Sequence, residues 1–147
     1  MKILALDIAT KTGWCNDISS GVWDFNVKRG ESIGMRLMRF RAAVQEMINL
    51  NKPDVIVYEL PAGLFKASIM VASEMIGVLK ILCEDNKIEY AHESATEIKK
   101  FATGKGNAKK DAMVQAAKDL DIGIDIIDDN HADAIHLYRL FKSKHVY

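Results

Sequence analysis

Only two cysteines, Cys15 and Cys83, occur among the 147 residues, and no apolar run approaches the ~20 residues of a membrane span. At this length a fold buries roughly 70% of the surface its unfolded chain exposes, so the core needs no disulfide or structural metal. The first strand meets Asp7 after four apolar residues, too short a run for the apolar core of a signal peptide. Free cysteines without an export signal lead us to expect the cytoplasm, of a bacterial or phage-infected cell. Net charge is also missing: 20 Lys and Arg balance 20 Asp and Glu, so the mean composition announces no nucleic-acid partner. No linker, repeat or low-complexity stretch interrupts the chain, and one domain over residues 1–147 is expected.

The charge that is present is segregated. Lys99, Lys100, Lys105, Lys109 and Lys110 fall in a stretch without acids, whereas Asp119 to Asp133 holds six aspartates and no Lys or Arg. Such runs are ordinarily solvated faces. A second basic group, Lys28, Arg29, Arg36, Arg39 and Arg41, leans toward a polyanionic partner.

Ile3 to Ile8 is apolar apart from Asp7, as in a central strand buried on both faces. Val22 to Val27 alternates with period two behind Ser19-Ser20-Gly21, so three antiparallel strands are expected to open the fold. Ile33, Leu37, Phe40 and Val44 recur at helical spacing, giving a helix of about 18 residues that ends near Asn51. Val55-Ile56-Val57-Tyr58 is a second buried strand, expected parallel to the first and ending on Glu59. Phe65 to Cys83 reads as a helix apolar round most of its circumference, which calls for two partners: the sheet and something else. Ile88 to His92 is a further strand, and Ser94-Ala95-Thr96-Glu97 a capping box. Asn107 is expected to cap a helix from Ala108, and Asp128-Asp129-Asn130 a last one.

Three acids stand where acids are costly: Asp7 and Glu59 at the ends of buried strands, and Asp133 in the first turns of the last helix. Neighbouring strands would bring the first two together at the carboxyl edge of the sheet, where open α/β sheets place ligands. Like charges so close raise each other's pKa or recruit a cation, and an all-oxygen set favours Mg²⁺ or Mn²⁺ over zinc. His131 and His136 are five apart and point to different faces of a helix, a poor metal pair, although His131 could still touch a substrate. Gly104-Lys105-Gly106 lacks the spacing of a P-loop.

Four stretches together resemble the RuvC family of Holliday junction resolvases: Ile3 to Ile8 with Thr12-Gly13, Val55 to Glu59, Thr103 to Lys110, and Asn130-His131-Ala132-Asp133-Ala134. The resemblance implies a ribonuclease H-like α/β fold, a five-stranded mixed sheet with three antiparallel strands then two parallel ones, flanked by helices. It implies metal-dependent nicking of two opposed strands of a four-way junction by a homodimer, for which the apolar circumference of the helix 65–83 offers the interface, and the chain's compactness fits a phage member. Catalytic roles fall on Asp7, Glu59 and Asp133, with Lys105 or Lys109 placed to stabilise the transition state; of these we single out Lys109. Two Mg²⁺ ions, replaceable by Mn²⁺, would be held by Asp7, Glu59 and Asp133, with Asn130 or Asp129 completing the set. The family commonly has aspartate where this chain has Asn130, and glycine where it has Ala9. DNA contacts are expected from Lys99, Lys100, Lys105, Lys109, Lys110, Arg36 and Phe65, the last as the nearest aromatic after Glu59. No membrane or nucleotide partner is expected, because a single lobe of this size cannot enclose a nucleotide as the two-lobed actin-like ATPases do. Two other readings remain open: a ribonuclease H-like nuclease for other branched DNA or RNA, and a junction-binding protein with weak catalysis.

Overall fold

The computed structural model describes residues 1–145. Its strands are β1 (Ile3–Asp7), β2 (Lys11–Cys15), β3 (Ser20–Asp24), β4 (Val55–Glu59) and β5 (Glu89–Glu93), and its helices are α1 (Gly34–Asn51), α2 (Lys66–Asn86), α3 (Ala95–Thr103), α4 (Lys110–Lys118) and α5 (Asp129–His145). The strands form one sheet in the order β3-β2-β1-β4-β5. β1, β2 and β3 pair antiparallel, whereas β4 runs parallel to β1 and β5 parallel to β4. The expected fold class holds, including the three antiparallel strands followed by two parallel ones.

The two central strands are apolar because both of their faces are covered. Leu4, Leu6, Ile56 and Tyr58 meet α1 and α2 through Phe40, Val44, Met75 and Leu79. Ile3, Ala5, Val55 and Val57 meet the opposite layer through Ile98, Met113 and Leu137. Side chains alternate along a strand, so Asp7 and Glu59 continue the second series and face the α3–α5 layer.

Several local expectations change. β3 begins at Ser20, so Ser20 and Gly21 pair with Cys15 and Trp14 instead of forming the turn. Asn16 makes that turn: its Oδ1 accepts from the Ile18 and Ser19 backbone N–H groups at 2.9 and 2.7 Å. α2 runs on to Asn86 and closes on Lys87 in the left-handed conformation. Asn107 caps nothing; α4 starts later, behind Lys109, with no side-chain cap. Ser94 does cap α3, accepting from Glu97 N–H at 3.2 Å, but the Glu97 carboxylate turns to Lys144 Nζ at 2.7 Å. The inner face of α2 is Ala72, Met75, Ile76, Leu79, Leu82 and Cys83, so Ala72 and Met75 belong to the core of this chain and not to a surface that a second subunit could cover. No helix among the described residues is long and apolar enough to cross a membrane.

Candidate active site

The site is built from two strand ends and a helix start. Register pairs Leu6 with Tyr58, which leaves Asp7 and Glu59 side by side one residue further along, about 4.8 Å apart in backbone spacing. α5 delivers the third acid, and its approach depends on a glycine. A Cβ on Gly13 of β2 would lie 1.9 Å from the Asn130 carbonyl oxygen, so only glycine lets the first turn of α5 rest on the sheet. Asp128 caps that turn by accepting from His131 N–H at 2.8 Å.

His131 fastens the same turn from beneath. The Ile127 N–H donates to its Nδ1 at 3.0 Å, so the proton sits on Nε2, which lies 2.8 Å from Ser20 Oγ. Burial holds this imidazole below its ordinary pKa, and both ring nitrogens are engaged. His131 therefore ties α5 to β3 and is not free to touch a substrate. Thr12 Oγ1 closes the turn after Asp7 by donating to the Ala9 carbonyl at 2.6 Å.

Electrostatically the acids form one group. Burial raises the Asp7 pKa well above the usual carboxylate range, and Glu59, Asp133, Asp129 and Asp128 raise it further. Burial also raises Glu59, opposed by Lys99 and by a hydrogen bond with the Asp7 carboxyl. Asp133 is pushed up to about 7 by burial, then by Glu59 and Asp129, with Lys99 and Lys110 pulling the other way. Asp133 Oδ1 is buried without a hydrogen-bond partner. An orphaned carboxylate oxygen among other carboxylates is costly unless a proton or a cation satisfies it.

A stability effect follows from the raised pKa values. Between the unfolded carboxylate pKa near 4 and the folded value near 7, the native state binds more protons than the unfolded one. Stability therefore falls as pH rises through this window. Asp133→Asn is expected to raise the metal-free melting temperature by several degrees at pH 8 and to leave it unchanged, or slightly lower, at pH 4. Equal shifts at both pH values in thermal unfolding would contradict this.

The cations sort themselves differently from the order expected. Lys99 and Lys110 are the lysines that Glu59 and Asp133 feel, and Lys110 Nζ lies 3.8 Å from Asp129. Lys109 and Lys110 are both exposed at the start of α4, as are Lys100 and Lys105, whereas Lys99 is half-buried. Lys99 occupies the inward stripe of α3 with Ala95, Ile98 and Ala102; a lysine at that spacing was the available signal for it. Arg36 is half-buried, its Nε donating to the Phe25 carbonyl at 3.2 Å, and Arg39 is paired with Glu31. Phe65 is 76% exposed just before α2, next to Leu64 at 94%. Asp129 stands with the acids, whereas Asn130 borders a cleft on the β2 side.

The family description Crossover junction endodeoxyribonuclease RuvC fits residues 8–138. The chain belongs to the RuvC family. The RuvC of Brachyspira hyodysenteriae is 31% identical over 108 residues, 73% of this chain and 67% of that protein. Among solved structures, T. thermophilus RuvC in complex with a Holliday junction substrate superposes with a TM-score of 0.73 at 15% identity, covering 93% of this chain and 90% of that one. The yeast mitochondrial Holliday junction resolvase superposes with a TM-score of 0.68 at 14% identity, covering 98% of this chain and 84% of that one. At these identities the structural likeness is one of fold, and the RuvC assignment rests on the sequence match.

Proposed function

We propose that this RuvC-family chain, acting as one domain, is a nuclease that resolves four-way DNA junctions by hydrolysing a phosphodiester in each of two opposed strands. The observation that carries this reading is the convergence of Asp7, Glu59 and Asp133 at one edge of the sheet, with one oxygen of Asp133 buried and unsatisfied. Among the described residues no group of three acid, histidine or cysteine side chains is already spaced to hold a metal ion. The fit to a metal rests on the all-oxygen donor set and the orphaned oxygen, which suit Mg²⁺, with Mn²⁺ as a substitute. Asp7, Glu59 and Asp133 would hold the ions, with Asp129 as the fourth carboxylate. The chemistry that a pair of such ions supplies is activation of a water and stabilisation of the leaving 3′ oxygen. The carboxyls must be ionised to serve, so protons compete with the metal for them, and at limiting Mg²⁺ activity is expected to rise with pH toward neutrality.

Lys99 and Lys110 suit a role beside the scissile phosphate, since they already offset the charge of the acids. The exposed Lys100, Lys105 and Lys109 suit backbone contacts further out. Lys99→Ala is expected to lower the rate at saturating junction roughly 10²-fold. Lys109→Ala should instead flatten the salt dependence of log K by about 0.9 per lost duplex contact, with the saturated rate little changed. Equal rate losses in the two variants would return Lys109 to the catalytic role.

The paired cut calls for two sites related by the two-fold symmetry of the junction, and a homodimer through the outer face of α2 would supply them. Met70 and Ile81 are 64% and 63% exposed there, on the side of the helix where Gly77 has no neighbour within 4 Å. Ile81→Glu should leave the chain folded, monomeric in sedimentation, and making unpaired nicks. Met75→Glu should unfold it, since Met75 is fully buried. A wild-type monomer that still makes paired nicks would overturn the dimer.

The deciding experiment is cleavage of an immobile four-way junction against matched duplex, fork and flap DNA in Mg²⁺, with nicks mapped on every strand. Symmetric paired nicks confined to the junction are expected. Equal cutting of forks or flaps would make the chain a general branched-DNA nuclease, and tight binding without nicks would make it a junction-binding protein.

A further inference from the structure

A cleft of about 450 Å³ lies beside the acids, and neither the carboxylates nor the lysine block uses it. Its floor is Ala9, Thr10 and Lys11, the turn that follows Asp7. Its walls come from Asn26 after β3, Ser68 in the first turn of α2, and Asn130 in the first turn of α5. It is an open cleft on the surface and not an enclosed cavity. No acid borders it, although the most acidic part of the molecule is next door. One exposed cation, two carboxamides and two hydroxyls face the same space, with small apolar side chains between them.

One residue adjoins two of these groups and fixes one of them. Asp24 lies directly across from Lys11 in the β2–β3 pairing. Its Oδ1 accepts from the backbone N–H and from Nδ2 of Asn26, at 2.9 and 2.8 Å. The Asn26 carboxamide is therefore oriented before any ligand arrives.

A strand crossing the acids is repelled by them and must be gripped on either side. Lys99 and Lys110 lie toward α3 and α4, and the cleft lies on the β2 side. We propose that the cleft seats the nucleotide adjoining the scissile phosphate, with its phosphate on Lys11 and its base edge against the carboxamides of Asn26 and Asn130. A carboxamide offers a donor and an acceptor in one plane, which is what a base edge requires. Asn130 then serves as a specificity residue and not as a metal ligand. The inference rests on the nuclease reading for the identity of the strand, but not for the chemistry of the cleft.

The test is a coupling measurement between protein and DNA. Junctions are prepared with single methylphosphonates, which remove one backbone charge each, at successive positions around the cut, and binding is measured in metal-free buffer. Wild type should lose roughly three- to tenfold in affinity at one position next to the cut. Lys11→Ala should lose a similar factor on unmodified DNA and nothing more at that position, whereas Lys11→Arg should restore the sensitivity. Additive losses at every position would overturn the Lys11 contact. Asn26→Ala and Asn130→Ala, assayed on a library of junctions in Mg²⁺, should relax base preference at one position while the rate on the best sequence stays within about threefold. A uniform loss of rate in Asn130→Ala with base preference intact would make Asn130 a metal ligand and overturn its assignment to the cleft. If wild type binds junction no better than duplex, the junction reading fails, and the Lys11 coupling is still read on the duplex.

Discussion

Asp7→Asn, Glu59→Gln and Asp133→Asn are each expected to lower cleavage roughly 10³-fold or more while leaving junction binding in metal-free buffer intact or tighter. The two effects have one cause. Each substitution removes a carboxyl from a group whose pKa values are raised, by burial in all three and by neighbouring carboxylates as well in Asp7 and Asp133. A neutral amide is a poorer ligand for a hard cation, but it repels a phosphate less. Substituting Asp7 should bring the smallest gain in binding, because burial and four neighbouring carboxylates already favour its neutral form in the absence of metal. Paired measurements of single-turnover rate in Mg²⁺ and of Kd in EDTA decide the matter. Any of the three variants that cuts at near the wild-type rate is not a metal ligand. Parallel loss of binding and cutting would place that residue in DNA contact instead. Asp129→Asn and Asn130→Ala complete the comparison, and only the former is expected to share the phenotype.

Gly13→Ala should be the most damaging small substitution outside the apolar core. The added methyl would sit 1.9 Å from the Asn130 carbonyl oxygen and 2.5 Å from its carbon, and both atoms belong to backbone that cannot swing aside. Either β2 or the first turn of α5 must move, and forced overpacking of this kind costs roughly 3 kcal/mol. For a chain of this length that corresponds to a fall of about 10 °C in melting temperature. The consequence reaches the chemistry as well. Asp133 follows Asn130 by one helical turn, so displacing that turn separates Asp133 from Asp7 and Glu59. Gly13→Ala is therefore expected to lose activity beyond what the unfolded fraction explains, when rates are compared at a temperature where the variant is still folded. Melting within about 2 °C of wild type would show that α5 does not rest this closely on the sheet.

The sequence was most legible where burial is symmetrical. Val55 to Tyr58 and Ile3 to Leu6 are apolar because both faces of these strands are covered, and a strand of that kind has no other reading. The acids that end them stand out for the same reason: a carboxylate after four buried residues has few structural explanations. Surface turns and helix starts were less legible, because their alternatives differ by single hydrogen bonds. Asn107 has the right chemistry for a cap and makes none, while Asn16, which makes the β2–β3 turn, was not singled out. The lysine block was hard to read for a related reason. Lys99 and Lys109 both belong to it, and only the direction in which α3 and α4 present them separates the lysine beside the acids from the one in solvent.

By itself the sequence determined the order of strands and helices, the apolar centre of the sheet, and the three acids that would meet at its edge, since alternation and helical spacing are local properties of the chain. Tertiary structure alone decided the rest. How closely α5 lies on β2, and hence where Asp133 stops relative to Asp7, depends on a contact between Gly13 and Asn130, residues more than a hundred positions apart. His131 became a tie between α5 and β3 because its partner is Ser20. Ala72 and Met75 turned inward because α1 and the sheet leave only one side of α2 uncovered. Each of these is set by packing between distant segments, where the free energy depends on which surfaces meet and not on the preference of either segment alone.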